Sequence, residues 1–166
     1  MSRSHDVAAR IRAAADEYIG MRADLEAGEP WPLATDFGPG PEASWGPPEV
    51  LAHVAEMLPY WLDQVERILA SEERATPFGR TALDPVRLAA IEADRQLPVG
   101  DLLERIDSSA SLYAERLARL ADADLDRVGV HPRLGEISVG EILERFAAAH
   151  AEDHVGQLRD GVGGRD

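Results

Sequence analysis

The chain contains no cysteine and no lysine, and each absence removes a class of chemistry. Without cysteine among its 166 residues, the protein forms no disulfide, holds no thiolate-bound zinc and has no cysteine nucleophile. All 17 basic residues are arginine, so a lysine Schiff base is excluded as well. Any bound metal must therefore be held by nitrogen and oxygen ligands.

Positive charge and long apolar runs are also scarce. Acidic residues outnumber basic ones by 31 to 17, which gives a formal net charge of −14. We therefore expect neither nucleic acid nor a membrane as a partner, because both attract basic surfaces. The chain has no run of about 18 apolar residues that could span a bilayer. Its start, MSRSHDVAARIR, lacks the apolar core of a signal peptide, so we expect a cytoplasmic protein.

Four stretches of apolar residues recur at alternating spacings of three and four, which is typical of core-facing helices. They predict helix one over 4–27, helix two over 47–68, helix three over 100–121 and helix four from Val139 onward. Segment 29–48 is rich in glycine and proline and predicts a long packed loop. Segment 71–98 predicts a crossover that contains a short helix over 85–95. The expected fold is all-α, a four-helix bundle forming a single domain over 1–166.

Local signals define several of these boundaries. Asp84, followed by Pro85, is typical of an N-cap and first helical position. Asp101 with Glu104, and Ser138 with Glu141, have the spacing of capping boxes. Pro59 falls inside the helix-two pattern and is expected to bend that helix.

Three histidines interrupt apolar stripes where leucine would be usual. His150 and His154 are four residues apart in helix four, so they project from one face, one turn above the other. His53 lies in helix two. These three imidazoles can meet at one point and hold a metal ion, with coordination positions left open as in catalytic zinc sites.

The predicted ligands also constrain the order of the helices. His53 lies near the start of helix two, whereas His150 and His154 lie late in helix four. They can meet only if those two helices are antiparallel, which gives an up-down-down-up order. Loop 29–48 then lies over the metal site. His131 falls at the opposite pole of the bundle and is excluded as a ligand.

The alternative is that these are core histidines whose nitrogens find protein hydrogen bonds. Each buried polar group left without a partner costs about 1–3 kcal/mol, and one divalent cation would satisfy all three rings. We therefore prefer the metal site. Imidazole donors suit zinc, our first choice, and nickel, our second. Either ion would acidify a bound water or thiol, and no further catalytic residue is assigned.

Other residues are weaker candidates for the surroundings of the site. Asp153 could accept a hydrogen bond from the free N–H of a ligand histidine, although we favour an ordinary surface role for it. Gln157 falls on the inward stripe, where substrate contact and packing are equally reasonable. Further candidates near the ligands or the mouth are Trp31, Trp45, Glu56 and Tyr60, and three crossover arginines could meet an anionic substrate or simply face solvent: Arg80, Arg87 and Arg95.

The sequence resembles the DinB-like superfamily of metalloenzymes. The segments that carry the resemblance are SWGPPEVLAHVAE, YWLDQVERIL, GEISVGEILERF and HAEDHVGQL. The resemblance implies a bundle with a three-histidine metal site at His53, His150 and His154. Its relatives include bacillithiol and mycothiol S-transferases and the metal-binding domain of mycothiol-dependent maleylpyruvate isomerase. It also implies a low-molecular-weight thiol as a possible cosubstrate.

Two functions follow as expectations. The first is a metal-dependent enzyme that activates a thiol or water for S-transfer or hydrolysis of a small-molecule substrate. The second is a non-catalytic, metal-stabilised bundle that acts as a stress-related sensor or interaction module. A homodimer is expected in either case.

Overall fold

The computed structural model describes residues 2–38 and 40–164, and this part of the chain is mainly helical. Met1, Pro39, Arg165 and Asp166, which the single-domain prediction includes, lie outside the described residues. A 3-10 turn spans Glu42–Ser44, and a π-helical segment spans Leu143–Ala149. The α-helices are α1 (Arg3–Gly20), α2 (Arg22–Ala27), α3 (Pro47–Ala70), α4 (Pro85–Asp94), α5 (Val99–Leu117), α6 (Asp122–Leu125), α7 (Val139–Ile142) and α8 (His150–Gly163).

The apolar stripes predicted for the long helices form the core. Residues with less than a tenth of their surface exposed include Val7, Ile11 and Tyr18 of α1, Val54, Met57 and Ile68 of α3, Leu103, Ile106 and Tyr113 of α5, and Val139, Ile142 and Leu158 of the last helical stretch. Burial of these side chains is the main favourable term in folding. The prediction of four core-facing helical stretches is confirmed.

Two buried tyrosines help fix how the helices pack. The Tyr18 hydroxyl of α1 donates to the Ala151 carbonyl of α8 at 2.6 Å. The Tyr113 hydroxyl of α5 donates to the Leu58 carbonyl of α3 at 2.8 Å. Helix α1 also packs along α5, and α3 packs against α4, α5 and α8. None of the described helices is both long and apolar enough to cross a membrane.

A small sheet corrects the prediction of an all-α fold. Strands β1 (Ala75–Pro77), β2 (Val128–His131) and β3 (Gly135–Ser138) form it in that order. β1 pairs parallel with β2, and β2 pairs antiparallel with β3. The sheet joins the crossover to the segment that precedes α7. Strands of three or four residues are too short to show a clear period-2 pattern, and their pairing depends on contacts distant in sequence.

The cap predictions had mixed outcomes. The Ser138 hydroxyl accepts from the Glu141 amide at 3.2 Å, and the Asp84 carboxylate accepts from the Arg87 amide at 2.9 Å, so both N-termini are confirmed. The capping box at Asp101 is wrong, because α5 already begins at Val99. The Val99 amide donates instead to the Glu29 carboxylate at 2.7 Å. A cap supplied by a distant loop leaves no local spacing in the sequence.

Helical periodicity was also interrupted in two places. The predicted first helix is divided at Met21 into α1 and α2, next to Gly20, a poor helix former. The predicted fourth helix contains the π-helical segment, in which backbone bonds span five residues instead of four. This shifts the side-chain phase just before His150. Phe146, an apolar residue of the predicted helix four, lies within this segment and is only half-buried.

Candidate metal centre

The three predicted histidines converge in the structure. His53 comes from α3, and His150 and His154 come from the first turns of α8. The Nε2 atoms of His53 and His150 are 3.1 Å apart, and those of His150 and His154 are 2.9 Å apart. His53 and His154 are buried, whereas the His150 side chain is 32% exposed. One ring therefore reaches the surface of the site while the other two lie beneath it.

A carboxylate that sequence analysis missed completes this cluster. Glu42 Oε2 lies 4.0 Å from Nε2 of His53 and 3.8 Å from the Nε2 atoms of both His150 and His154. Because it is nearly equidistant from the three nitrogens, it lies close to the axis through their centre. Glu42 sits in the 3-10 turn of loop 29–48, so part of that loop does lie over the histidines.

The separations between these donor atoms fit a divalent cation. Metal–nitrogen bonds of about 2.0–2.1 Å imply nitrogen–nitrogen separations of roughly 2.8–3.4 Å, the shorter for octahedral and the longer for tetrahedral geometry. The His53–His150 and His150–His154 nitrogen pairs fall within this range. One ligand atom from each of the four residues lies within 4.8 Å of the others. The cluster could hold a divalent metal, and its donor set suits zinc and nickel equally.

Burial favours the neutral imidazoles that metal binding needs. Loss of hydration lowers the pKa of His53 well below its ordinary value, and the neighbouring rings and Arg87 lower it further. Burial, followed by the nearby His154, lowers the pKa of His150 to about 4. Burial also lowers the pKa of His154, partly opposed by its hydrogen bond to Gln157. At neutral pH, all three rings therefore offer lone pairs.

Gln157 fixes the tautomer of His154. Its Nε2 donates to the carbonyls of Glu42 at 2.7 Å and Trp45 at 3.3 Å, which orients its Oε1 toward His154 Nδ1 at 2.9 Å. Because Oε1 can only accept, Nδ1 must carry the hydrogen and Nε2 keeps its lone pair for the cluster. Gln157 thus has the role that outer-shell groups have in metal sites.

A buried arginine lies on the other side of the cluster. The Asp84 cap places Arg87 in the first turn of α4, and its Nη2 donates to Glu42 Oε1. The same nitrogen lies 3.5 Å from Nδ1 of His53, and Nη1 donates to the Ala82 carbonyl at 2.8 Å. Arg87 therefore holds one oxygen of the Glu42 carboxylate and leaves the other turned toward the histidines.

A cavity of about 200 Å³ opens beside the cluster. Its lining includes three members of the cluster, together with Met57, Trp61, Arg80, Arg87 and Phe146: His53, His150 and Glu42. A larger cavity of about 580 Å³ lies near Trp31, Arg95 and Val99 and has no member of the cluster in its lining. Because the smaller cavity adjoins the candidate ligands, we regard it as the one relevant to chemistry.

Of the other residues predicted near the site, three lie close to His53 or Arg80 and one lies elsewhere. Trp45 is buried with its ring edge toward His53, at 5.6 Å between centroids. Glu56 pairs with Arg80 at 2.5 Å, and Tyr60 lies under the same guanidinium at 3.6 Å. Trp31 is not at the site, since its Nε1 donates to the Leu25 carbonyl at 2.8 Å beside the larger cavity.

Asp153 has the surface position that we favoured for it. Asp153 is exposed and makes no hydrogen bond or ion pair within the described residues, although its charge raises the pKa of His150 slightly against the effect of burial. Gln157 holds the histidine instead. Arg95 is also distant from the cluster and pairs with Glu49 at 2.9 Å.

His131 lies outside the cluster but not at the far pole where we expected it. Its ring stacks on Phe146 at 5.7 Å between centroids, and Phe146 lines the cavity beside His150. The two nitrogens of His131 contact the Arg80 carbonyl at 3.2 Å and the Arg133 amide at 3.3 Å. The hairpin formed by β2 and β3, which sequence analysis missed, brings His131 to this end.

Glu42 could have been suspected from one signal. It is among the few acidic residues of loop 29–48, the segment that the helix order places over the histidines. No periodicity distinguishes it from Glu29 or Asp36, because its position depends on the fold of the loop. Its position makes it a candidate fourth ligand that the sequence analysis did not name.

Comparison with known protein families agrees with this arrangement. The model of the DinB superfamily matches residues 35–158, a span that contains Glu42 and all three clustered histidines. Because the match covers well over half of the chain, the protein belongs to the DinB superfamily, and the predicted resemblance is confirmed. No curated protein matches the chain.

Proposed function

We propose that the protein holds a divalent cation with His53, His150 and His154, and that Glu42 lies beside a coordination position left for a nucleophile. We further propose that it uses the ion to activate a thiol or water for S-transfer or hydrolysis. The observation that carries the proposal is the convergence of three neutral imidazole nitrogens and one carboxylate oxygen. Zinc is our first choice of ion and nickel our second, and a low-molecular-weight thiol is the possible cosubstrate.

The chain's own residues would orient and exchange protons around the ion. When bound, the cation would supply Lewis acidity, which lowers the pKa of a coordinated water or thiol. Gln157 holds the His154 ring, and Arg87 holds Oε1 of Glu42. Oε2 of Glu42 is then the acceptor best placed to take a proton from a nucleophile that enters through the cavity.

The scaffold that we propose for this chemistry is a four-helix bundle in up-down-down-up order, forming one domain. The antiparallel relation of α3 and the last helix is supported by the meeting of His53 with His150 and His154. A small-molecule substrate and a homodimer remain part of the proposal. The cytoplasmic location stays a prediction from the sequence.

A non-catalytic role is the second candidate, and Glu42 is the observation that favours it. Structural metal sites use four protein ligands, whereas catalytic sites commonly keep one position for water. A carboxylate on the axis of the three histidines could close the site. The protein would then be a metal-stabilised sensor or interaction module.

Metal analysis of tag-free protein tests the first step of the proposal. We expect about one equivalent of zinc or nickel in the wild type and a loss of affinity of about a hundredfold or more in His150→Ala, because one of few ligands is removed. His5→Ala is the matched control, since His5 is exposed in α1 and its Nδ1 lies 2.6 Å from the Ser2 hydroxyl. Equal metal content in all three proteins would remove His150 from the site.

Glu42→Gln separates the two candidate functions. In a catalytic site, we expect the variant to keep its metal and to lose most turnover in assays that pair low-molecular-weight thiols or water with electrophiles. X-ray absorption of the wild type should then show an exchangeable light ligand. A coordination sphere with no exchangeable ligand, together with inactivity across the panel, would favour the non-catalytic module.

A further inference from the structure

Three contacts hold Arg80, two through its guanidinium and one through its backbone carbonyl. Its Nη2 donates to both oxygens of Glu56, at 2.5 and 2.6 Å. Its guanidinium carbon lies 3.6 Å from the centre of the Tyr60 ring, a cation–π contact. Its backbone carbonyl lies 3.2 Å from His131 Nε2. The guanidinium is therefore held before any ligand arrives, which reduces the entropy lost on binding.

This arginine still has hydrogen-bond donors to offer. Across residues 2–38 and 40–164, neither Nε nor Nη1 of Arg80 has an acceptor. Arg87 differs, since its Nη atoms already donate to Glu42 and Ala82. Both arginines line the cavity beside His150, and of the two only Arg80 has an Nη group without an acceptor among the described residues.

Apolar side chains form another part of the cavity lining. Met57 and Trp61 of α3 are buried, and the Trp61 ring stacks on Phe146 at 4.6 Å between centroids with 18° between the planes. A volume of about 200 Å³ equals roughly six or seven water molecules. The cavity therefore has room for a small organic molecule with one ring or a short branched chain.

We propose that this cavity binds a small organic anion. Its carboxylate accepts hydrogen bonds from Nε or Nη1 of Arg80, and its apolar body packs against Met57, Trp61 and Phe146. A protein with a formal charge of −14 repels anions at long range. Binding of a small anion therefore depends on a local positive group, and Arg80 supplies one beside apolar side chains of the same cavity. As the identity of the substrate, this inference rests on the proposed function, but the binding event itself does not require the metal.

Calorimetric titration with benzoate and its neutral analogue benzamide tests the proposal. The proteins are wild type, Arg80→Gln and Arg74→Gln, each metal-free and loaded with Zn²⁺. Arg74 is exposed in the same crossover and matches the change in charge. We expect benzoate to bind the wild type and Arg74→Gln alike, and Arg80→Gln about tenfold or more weakly, because a charge-assisted hydrogen bond is lost. Benzamide should bind at least tenfold more weakly than benzoate.

The outcomes separate this inference from the proposed function. Equal benzoate affinity in wild type and Arg80→Gln, equal affinity for benzoate and benzamide, or no binding of benzoate to the wild type would overturn the anion site. Benzoate binding with the expected pattern in a protein that takes up no Zn²⁺ would support the anion site and overturn the metal site instead. If Arg80→Gln fails to fold, Arg80→Lys serves, with an expected intermediate loss because lysine cannot reproduce the planar guanidinium.

Discussion

His131 and His154 are both buried histidines near one end of the fold, yet their surroundings differ. His131 has a protein partner at each ring nitrogen, the Arg80 carbonyl and the Arg133 amide. His154 has such a partner only at Nδ1, while its Nε2 faces the Nε2 of His150. His131 is satisfied as an element of structure. The clustered rings place lone pairs against one another, an arrangement that a shared cation would stabilise.

The contrast shows that burial alone does not identify a functional histidine. Both residues are about 95% buried, and both lie among aromatic rings. What differs is whether the second nitrogen finds a donor or acceptor of the protein or converges on other nitrogens. The following predictions test that difference, with His131 as the internal reference.

Metal removal should have the largest effect. A cation present at about a thousand times its dissociation constant stabilises the folded state by about 4 kcal/mol, which corresponds to roughly 8–16 °C in Tm for a chain of this size. We expect a chelator to remove this increment from wild type and from His131→Leu alike, as measured by calorimetry. His154→Ala should show at most about a third of this increment, because a hundredfold weaker affinity leaves only about 1.4 kcal/mol at the same cation concentration. An increment that is lost in His131→Leu would contradict the distinction between the two sites.

Acid should have the next largest effect, on metal-free protein. Burial lowers the pKa of His150 to about 4, whereas an unfolded histidine titrates near 6.5. Between these values the unfolded chain binds more protons than the folded one, so the free energy of unfolding falls as pH is lowered. For His150 alone, the loss from pH 7 to pH 4 is about 2–3 kcal/mol.

Urea unfolding at pH 7, 5.5 and 4.5 measures this loss. His150→Gln removes the titrating ring, so its stability should decline less steeply than that of the wild type. His5→Gln, on an exposed position of α1, should keep the wild-type slope. Identical slopes for wild type and His150→Gln would show that burial does not hold this imidazole neutral.

Removal of the Gln157 amide should have the smallest effect. Gln157→Leu keeps the size of the side chain but leaves His154 Nδ1 without its acceptor. Loss of such an outer-shell partner weakens metal affinity by about 10–100-fold, which competition with a chromophoric chelator can measure. Gln96→Leu, on an exposed position beside the larger cavity, should bind metal as the wild type does. Equal affinities in both variants would assign Gln157 to packing.

Much of the helical fold was predictable because it depends on local regularities. Apolar spacing identified the long helices, and the Ser138 and Asp84 signals identified two N-termini. The sheet and the Glu29 cap were not predictable, because each depends on residues distant in sequence. The π-helical segment escaped as well, since a uniform helical period cannot show where that period changes.

In the candidate site too, the residues on the long helices could be predicted and those in the loop and the crossover could not. His150 and His154 share one helix, so their four-residue spacing was sufficient to pair them, and His53 followed from depth along its own helix. Glu42 lies in a loop whose path no periodic pattern describes. Arg80 and Arg87 were recognised as residues that could meet an anionic substrate or face solvent, but their place beside the histidines could not be predicted, because the crossover that carries them is positioned by β1 and α4.

The single amide of Gln157 connects the loop that carries Glu42 to the imidazole of His154. Its nitrogen donates to the backbone carbonyls of Glu42 and Trp45, while its oxygen accepts from Nδ1 of His154. If the turn that bears the carboxylate swings outward, the amide loses its two anchors and can rotate, and the imidazole is released to exchange tautomers. Movement of the Glu42 turn away from the site and release of the His154 ring would then occur together.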